Sequence, residues 1–211
     1  MSAEGGSRGR KLNNAVESAP NGERLGILGG TFDPPHIGHC VVAQELHFQL
    51  ELDRVLIVPA AAPPHKREPP VTGAPIRIAM LNAALGDDAR FEVSTLEVER
   101  QGASYTVDTL RQLRSGRPDV ELYLAVGADQ LDEFDSWREP EEIVSLARIV
   151  SFARAGERSK RADRWARERI EVPALDISST EIRNRVHRGA PVQFLLPEGV
   201  EKIIRRERLY R

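Results

Sequence analysis

The chain has 211 residues, of which 40% are hydrophobic, and this size suits one α/β domain with a small C-terminal part. Its 30 Lys and Arg residues nearly balance its 32 Asp and Glu residues, and the formal charge of −2 argues against a general nucleic-acid binder or a protein of anionic membranes. No apolar run approaches the roughly 18 residues of a membrane-spanning helix.

The first residues of the chain are rich in Gly, Ser, Asn and charge, and they lack the apolar core of an export signal. We interpret residues 1–22 as a disordered extension and residues 23–211 as one domain. The single cysteine, Cys40, excludes an intrachain disulfide and suits a reducing compartment, which predicts a cytoplasmic location.

The first structural pattern is a strand, a glycine turn and a helix. Residues 24–28 form a short apolar run that predicts a buried strand. Gly29 and Gly30 then allow a tight turn in which a ligand can come close to the main chain. Asp33-Pro34-Pro35 stiffens that turn, and a helical period begins at Ile37.

Two histidines, His36 and His39, stand at the predicted helix start. A helix N-terminus carries unpaired N–H groups and a partial positive charge, so it favours an anion, and each imidazole could donate to a phosphate oxygen. This pattern indicates a phosphate ligand, most simply a nucleotide. Two alternatives stay open: the pair could ligate zinc, although no third ligand is obvious nearby, or both histidines could be structural.

A second buried strand is predicted at 54–59, and with the first strand and helix it makes a right-handed βαβ unit. The proline-rich loop 60–72 carries Lys66 within a basic run, which on its own is readily explained as a solvated loop. A helix is predicted at 74–85. Its predicted inner face consists of Ile76, Ala79, Met80, Ala83 and Ala84.

The middle of the chain predicts extended segments at 91–94 and 96–98. Ser104 is predicted to cap a helix that runs through Val107, Leu110 and Leu113.

A strong strand pattern at 120–127 is followed by Asp129, a carboxylate at the edge where open α/β sheets bind ligands. Further strands are predicted at 148–154 and, as a last short one, within 171–177. The alternation of strands and helices predicts a Rossmann-like open, mostly parallel sheet with helices on both faces and a small helical C-terminal part.

A second helix start is predicted at Ser178, because Ser178 and Glu181 have capping-box spacing. The pattern by itself indicates only a cap. Hydroxyls at a helix N-terminus, with Arg183 one turn further on, would also suit a triphosphate. Another helix is predicted to begin at Pro197.

Two of these segments resemble a known superfamily. Residues 29–39, G-G-T-F-D-P-P-H-I-G-H, resemble the G-x-F-D-P-x-H-x-G-H signature of the nucleotidyltransferases with the HxGH motif. Residues 177–183, I-S-S-T-E-I-R, are similar to the second signature of that superfamily, I-S-S-T-x-I-R. Segments between the two narrow the resemblance, over residues 24–211, to the bacterial nicotinate-nucleotide adenylyltransferases.

The resemblance implies roles for particular residues. The implied catalytic residues are His36, His39, Lys66 and Arg183. The implied ATP-binding residues are Gly29, Gly30, Thr31, Phe32, His36, His39, Asp129, Ser179, Thr180 and Arg183. The implied residues for nicotinate mononucleotide are Asp33, Tyr105, Thr106 and Trp137. From the residues alone, Tyr105 and Thr106 could equally be packing and capping residues, and Trp137 could be a core residue.

The implied reaction is transfer of AMP from ATP to nicotinate mononucleotide, without a covalent enzyme intermediate, with Mg²⁺ accompanying ATP and no metal site in the protein. No nucleic acid or membrane partner is expected, and the oligomeric state stays open, as does the choice between nicotinate and nicotinamide mononucleotide.

Three other functions are considered. The first is another superfamily activity, such as that of a pantetheine-phosphate adenylyltransferase or a cytidylyltransferase. The second is a dehydrogenase, whose G-x-G-x-x-G fingerprint residues 26–31 do not match. The third is a non-catalytic nucleotide sensor with the same fold.

Overall fold

The computed structural model describes residues 22–62, 71–100, 102–154 and 162–211, and for residues 153, 154, 162 and 163 it describes the backbone without the side chains. The strands are β1 (Arg24–Gly30), β2 (Arg54–Pro59), β3 (Phe91–Val93), β4 (Glu121–Gly127), β5 (Arg148–Arg154) and β6 (Glu168–Val172). The helices are α1 (Ile37–Gln49), α2 (Ala74–Leu85), α3 (Leu96–Arg100), α4 (Thr106–Gly116), α5 (Ala128–Asp132), α6 (Pro140–Leu146), α7 (Ala162–Trp165), α8 (Ser179–His187) and α9 (Glu198–Arg206).

The six strands form one open sheet in the order β3-β2-β1-β4-β5-β6, and every pairing is parallel. The predicted Rossmann-like fold is confirmed. Strand β1 lies at the centre, with Leu25 opposite Arg54 of β2 on one side and Leu122 of β4 on the other. Because the strand order reverses between β1 and β4, a crevice opens outside their carboxyl ends, where folds of this kind bind ligands.

Helices cover both faces of the sheet because the side chains of each strand alternate between two apolar layers. Along β4, Leu122 and Leu124 pack in the layer that contains Leu110 of α4. Tyr123 between them packs in the opposite layer, together with Leu46 of α1.

A third apolar cluster joins α2 to the two last helices. Met80 of α2 packs in it with Ile182 of α8 and with Val200 and Ile203 of α9, and all four side chains are buried. This cluster is the small helical C-terminal part that the sequence predicted. It also holds the start of α8 in a fixed position relative to α2.

Three local predictions are wrong. Residues 96–98 lie in helix α3, and the last strand is β6 at Glu168–Val172, earlier than predicted. On α2, Ala79 and Ala83 are exposed, whereas Arg77 and Leu81 are buried. Alanine packs or faces solvent at little cost, so a row of alanines does not fix which side of a helix faces the core.

Candidate active site

The turn after β1 places the first motif at the carboxyl edge of the sheet. Gly29 is exposed, with open space where a side chain would stand, so its main chain is accessible to a ligand. Phe32 has a left-handed φ of +51°, and its ring lies over Gly30, where a Cβ atom would be 2.8 Å from the ring atom Cζ. Phe32 is 2% exposed, so its side chain is closed to a ligand, and the ATP contact at this position stays a prediction for its main chain.

His36 and His39 lie at the start of α1, as predicted. His36 is the N-cap residue, and the two imidazole rings stack with centroids 3.7 Å apart. Nδ1 of His39 accepts a hydrogen bond from the backbone N–H of His36 at 3.1 Å, so a neutral His39 carries its proton on Nε2. The Phe32 ring meets His39 edge-on, and a Cβ on Gly38 would lie 3.0 Å from the His36 ring. The histidine pair is therefore held from several sides.

The second motif forms the start of α8, and the predicted cap is confirmed. The Ser178 hydroxyl accepts a hydrogen bond from the backbone N–H of Glu181 at 3.2 Å. One turn into the helix, Nη2 of Arg183 donates to the Thr180 hydroxyl at 3.2 Å. A hydroxyl and a guanidinium thus lie together beside the N-terminus of this helix.

The two motifs meet in space. The Ser179 hydroxyl donates to the Pro34 carbonyl oxygen at 2.8 Å, and Nη1 of Arg183 donates to the Asp33 carbonyl oxygen at 2.8 Å. Pro34 lies two residues before His36, so the start of α8 is joined directly to the turn that leads into α1. Two helix N-termini with basic side chains therefore converge at one place.

The Asp33 carboxylate lies beneath this junction and is 2% exposed. Its Oδ2 accepts hydrogen bonds from the backbone N–H groups of Val71 at 2.7 Å and Thr72 at 3.2 Å. Its Oδ1 accepts one from the Tyr210 hydroxyl at 2.6 Å. The substrate contact assigned to Asp33 stays a prediction, while these contacts are all internal to the protein.

Arg77 is a residue of this region that the sequence did not single out. Its side chain is 1% exposed and donates to three backbone carbonyl oxygens, those of Thr72 at 3.0 Å, Thr31 at 2.7 Å and Ala60 at 2.8 Å. Burial lowers the pKa of Arg77, and the negative charge of Asp33 opposes that effect. Arg77 therefore ties the ends of β1 and β2 to the segment before α2.

A second group of predicted residues lies at the start of α4 and in the turn before α6. Tyr105 is the N-cap residue of α4, and Thr106 is its first residue. The guanidinium carbon of Arg138 lies 4.8 Å from the centroid of the Tyr105 ring. Trp137 is half-buried, and its ring centroid lies 4.9 Å from that of Phe134. The half-buried tryptophan leaves part of its surface available to a ligand.

Ser104 does not cap α4, so that prediction is wrong. Its hydroxyl accepts a hydrogen bond from the backbone N–H of Ala61 at 2.9 Å, and its own N–H donates to the Ala62 carbonyl at 3.0 Å. Ser104 therefore joins the start of α4 to the end of β2. The end of β2 is in turn joined to the first motif, because the N–H of Ala60 donates to the Gly30 carbonyl at 2.9 Å.

Two further predicted residues belong to other segments. Asp129 is exposed and lies in α5, immediately after β4, at the carboxyl edge of the sheet. Lys66 lies outside the described residues. The roles of both stay predictions.

Comparison with known proteins identifies the family. A model of the cytidylyltransferase-like family matches residues 27–185. The chain is 42% identical over 199 residues to a Desulfitobacterium hafniense (strain Y51) protein named "probable nicotinate-nucleotide adenylyltransferase", covering 90% of this chain and 96% of that one. The chain belongs to the nicotinate-nucleotide adenylyltransferase family. A protein of the same name from Leifsonia xyli subsp. xyli is 43% identical over 190 residues, with 89% and 94% covered.

A solved structure shares the fold of this adenylyltransferase family member. It is the Plasmodium falciparum nicotinic acid mononucleotide adenylyltransferase complexed with NaAD, with a TM-score of 0.75 and 19% identity, covering 89% of this chain and 97% of that one. The family that the two motifs indicated is thus confirmed by sequence relatives, and the fold by a structure.

Two properties of the described residues bear on cofactors and partners. Within the described parts of the chain, no three His, Cys, Asp or Glu side chains are grouped so that they could hold a metal ion. The same parts contain no helix with the length and apolar character needed to cross a membrane.

Proposed function

We propose that this protein transfers AMP from ATP to the 5′-phosphate of nicotinate mononucleotide, giving nicotinate adenine dinucleotide and pyrophosphate. The observation that carries the proposal is the junction of the two motifs, where Ser179 and Arg183 hydrogen-bond the carbonyl groups of Pro34 and Asp33 beside the histidine pair. Relatives that are 42% and 43% identical bear the name of this activity.

The reaction is a displacement at the α-phosphorus of ATP. An oxygen of the acceptor phosphate forms a bond to that phosphorus, while the bond to the α,β-bridging oxygen breaks and pyrophosphate leaves with the electron pair. The acceptor phosphate is already an anion at pH 7, so no residue has to generate the nucleophile. Because an anion must approach a polyanion, we expect catalysis by positioning and by preorganised donors, without a covalent enzyme intermediate.

We assign His36 and His39 to the triphosphate around the α-phosphate, where negative charge shifts towards the leaving group. The support is their place at the N-terminus of the 13-residue helix α1. The hydrogen bond accepted by Nδ1 of His39 leaves Nε2–H as the donor, so we assign the phosphate contact of His39 to Nε2.

The start of α8 is assigned to the β- and γ-phosphates. Arg183 and the Thr180 hydroxyl lie together there, and the Ser179 hydroxyl is engaged with Pro34, so we assign the contribution of Ser179 to its main chain. Lys66 is proposed as a further phosphate ligand from the basic loop. The main chain from Gly29 to Phe32, together with Asp129, completes the proposed ATP site.

The mononucleotide is assigned to the side of the crevice formed by Tyr105, Thr106 and Trp137. An electron-poor pyridine ring favours offset contact with a large aromatic face, and Trp137 is half-buried, so it retains surface for such a contact. We leave the Asp33 side chain out of this site because its carboxylate is buried and bound by Val71, Thr72 and Tyr210.

Mg²⁺ is proposed to enter as part of the ATP substrate, held mainly by phosphate oxygens and water, since this ion dehydrates reluctantly. We propose the cytoplasm as the site of the reaction, because the lone Cys40 suits a reducing compartment.

The test is an assay of pyrophosphate release with Mg²⁺ and ATP and one acceptor at a time: nicotinate mononucleotide, nicotinamide mononucleotide and pantetheine phosphate. We expect release with nicotinate mononucleotide and a dinucleotide of the corresponding mass. Release only with pantetheine phosphate would assign the protein to a different activity. ATP binding without release under any acceptor would indicate a nucleotide sensor. Competition between the two mononucleotides would fix the preference between acid and amide.

A further inference from the structure

A buried polar cluster lies directly beneath the junction of the two motifs. It consists of Asp33, Thr72, Arg77 and Tyr210, which we call the anchor cluster. Asp33, Thr72 and Arg77 are 2%, 4% and 1% exposed, and Tyr210 is half-buried. A buried polar group is costly unless it is hydrogen-bonded, so the contacts within this cluster hold its members in defined positions.

The direction of the hydrogen bonds at Tyr210 follows from the groups involved. Its hydroxyl lies 2.6 Å from Asp33 Oδ1 and 3.0 Å from the Thr72 hydroxyl. A carboxylate only accepts, so the single proton of Tyr210 is donated to Asp33, and the Thr72 hydroxyl donates to Tyr210. Burial, with the hydrogen bond to Asp33, raises the pKa of Tyr210 far above its usual range, so this proton stays in place at any working pH.

The backbone that brings Tyr210 to Asp33 is unusual. Arg208 and Tyr210 have left-handed φ angles of +53° and +60°, which are unfavourable for residues other than glycine and persist where surrounding contacts determine them. Contacts at this place include the packing of Leu209 and Tyr210 against the apolar cluster of α2, α8 and α9, and the two hydrogen bonds of the Tyr210 hydroxyl. The backbone N–H groups of Arg208 and Leu209 also donate to carbonyl oxygens of α9.

Arg77 completes the cluster through its bonds to backbone carbonyl oxygens. It binds the carbonyl oxygens of Thr31 and Thr72, while Asp33 binds the N–H of Thr72, so the turn and the segment before α2 are joined by both a cation and an anion. Hydrogen bonds of this kind, in which one partner is charged, are stronger than neutral ones.

The cluster is connected to the phosphate site through one residue. The side chain of Asp33 is held by Tyr210, and the carbonyl oxygen of the same Asp33 accepts the hydrogen bond of Arg183. The next carbonyl, that of Pro34, accepts the hydrogen bond of Ser179. A shift of the Asp33 backbone would therefore move the acceptor that holds Arg183, and the side-chain bond to Tyr210 opposes such a shift.

We propose that Tyr210 is a positioning residue for adenylyl transfer: it fixes Asp33 so that the Asp33 carbonyl orients Arg183 towards the phosphates of ATP. Tyr210 touches no substrate in this proposal and acts through Asp33. The inference rests on the proposed function, because it concerns the KM for ATP in that reaction.

The main experiment compares two substitutions that each remove one tyrosine hydroxyl bound to a carboxylate. Tyr210→Phe removes the donor to Asp33. The matched control is Tyr123→Phe, because the Tyr123 hydroxyl donates to Glu121 at 2.8 Å near the amino ends of β1 and β4, away from the site. We expect both variants to lose thermal stability. We expect the KM for ATP to rise about 10-fold in Tyr210→Phe and to stay within about 2-fold of wild type in Tyr123→Phe.

The KM for nicotinate mononucleotide in Tyr210→Phe should change less than about 2-fold. A loss of stability in Tyr210→Phe with an unchanged KM for ATP would overturn the inference and leave Tyr210 with a purely structural role. Absence of pyrophosphate release by the wild-type protein would instead overturn the proposed function, and this inference with it.

A double-substitution cycle tests whether Tyr210 acts through Arg183. In an Arg183→Ala background the group that Tyr210 positions is gone, so Tyr210→Phe should raise the KM for ATP less than about 2-fold further. An additional rise as large as in the wild-type background would contradict the proposed route.

If Tyr210→Phe does not fold, a second variant, Thr72→Val, takes its place. This variant removes the hydroxyl that donates to Tyr210. We expect that variant to raise the KM for ATP about 3-fold, and an unchanged KM would overturn the inference.

Discussion

Two ends of the candidate active site are held by different kinds of contact. The phosphate end consists of the histidine pair and the start of α8, and the ring end consists of Tyr105, Thr106 and Trp137. At the phosphate end, Ser179 and Arg183 donate to backbone carbonyl groups of the turn that contains Asp33 and Pro34. Below that turn lies the anchor cluster, whose Asp33 and Arg77 side chains are almost fully buried. The two bonds between the motifs are partly buried, and their acceptors belong to the main chain of the turn that follows β1.

At the ring end, Tyr105 and Trp137 pack on one side against the apolar layer that contains Phe134, and partly exposed charges lie at their outer border. Arg138 lies over the Tyr105 ring and 3.6 Å from the carboxylate of Asp108. Arg111, in the same helix, pairs with Asp108 and with Glu139 and Glu142 at the start of α6. These side chains are exposed enough for water and salt to screen their interactions, and such pairs contribute little to stability.

The two kinds of contact indicate which end of the site can vary. In the proposed assignment, the phosphate end holds the triphosphate of ATP, and the hydrogen bonds between the two motifs leave it little adjustment. The ring end is assigned to the part of the acceptor that differs between related reactions. Because the charge pairs at its border are weak, we expect substitutions of those charges to be tolerated without loss of the fold.

The largest expected effect is at the histidine pair. His39→Ala should lower kcat at least about 10²-fold, because it removes a donor that acts on charge developing in the transition state. The structure adds a sharper comparison: a glutamine amide reaches where Nε2 lies, whereas an asparagine amide reaches only where Nδ1 lies. We therefore expect His39→Gln to retain more activity than His39→Asn, measured as kcat for pyrophosphate release.

Near-normal kcat in His39→Ala would show that His39 does not contribute to catalysis. Equal kcat values for the glutamine and asparagine variants would remove the assignment of Nε2 as the donor.

The next effect is at Arg183. Arg183→Ala should raise the KM for ATP by about 10-fold or more, because a charged donor to the phosphates is lost. The matched control is Arg188→Ala, at the end of the same helix, where the guanidinium is exposed and pairs with Glu181. We expect the control to keep the wild-type KM for ATP within about 2-fold. Similar KM values for ATP in the two variants would show that Arg183 does not bind the phosphates of ATP.

A smaller and more selective effect is expected at the ring end. Trp137→Ala should raise the KM for nicotinate mononucleotide about 10-fold and leave the KM for ATP nearly unchanged, because only the stacking face is lost. Trp165→Phe serves as the control: Trp165 is buried, and its indole N–H donates to Asp135 at 3.1 Å. That variant should lose stability with both KM values unchanged. An equal rise of both KM values in Trp137→Ala would contradict the separation into two ends.

The smallest effect is expected for the surface charges. Arg111→Ala should lower the melting temperature by about 2 °C or less, and high salt should shrink that difference further, since exposed pairs are screened. The neighbouring Leu110→Ala provides the contrast, because Leu110 is 0% exposed and its loss should lower the melting temperature by about 5 °C or more. A large loss in Arg111→Ala would show that the ring end is held more rigidly than we infer.

Much of the fold was predictable because its signals are local. The apolar runs at Arg54–Pro59 and Arg148–Arg154 coincide with β2 and β5, and Ala74–Leu85 coincides with α2. The cap of Ser178 is also local, since its partner lies three residues further along.

The remaining features depend on partners that are distant in sequence. The Ser104 hydroxyl binds the backbone of Ala61 instead of capping its own helix, because the end of β2 lies beside it. Arg77 lies one turn before Met80 and Leu81 on a buried face, and no local pattern distinguishes it from a solvated arginine. Its three carbonyl partners become acceptors only when the ends of β1 and β2 lie side by side.

The hydrogen bonds that join the two motifs span 145 and 150 residues of chain, and the one between Tyr210 and Asp33 spans 177. Contacts that close longer loops carry a somewhat higher entropic cost, whereas four of the five strand pairings join strands that are consecutive in the chain. We therefore expect α8 and α9 to open in a partial unfolding reaction before the sheet does. During titration with urea, turnover should fade at a lower concentration than that at which the amides of β1 lose their protection, and amide hydrogen exchange should be faster in α8 than in β1.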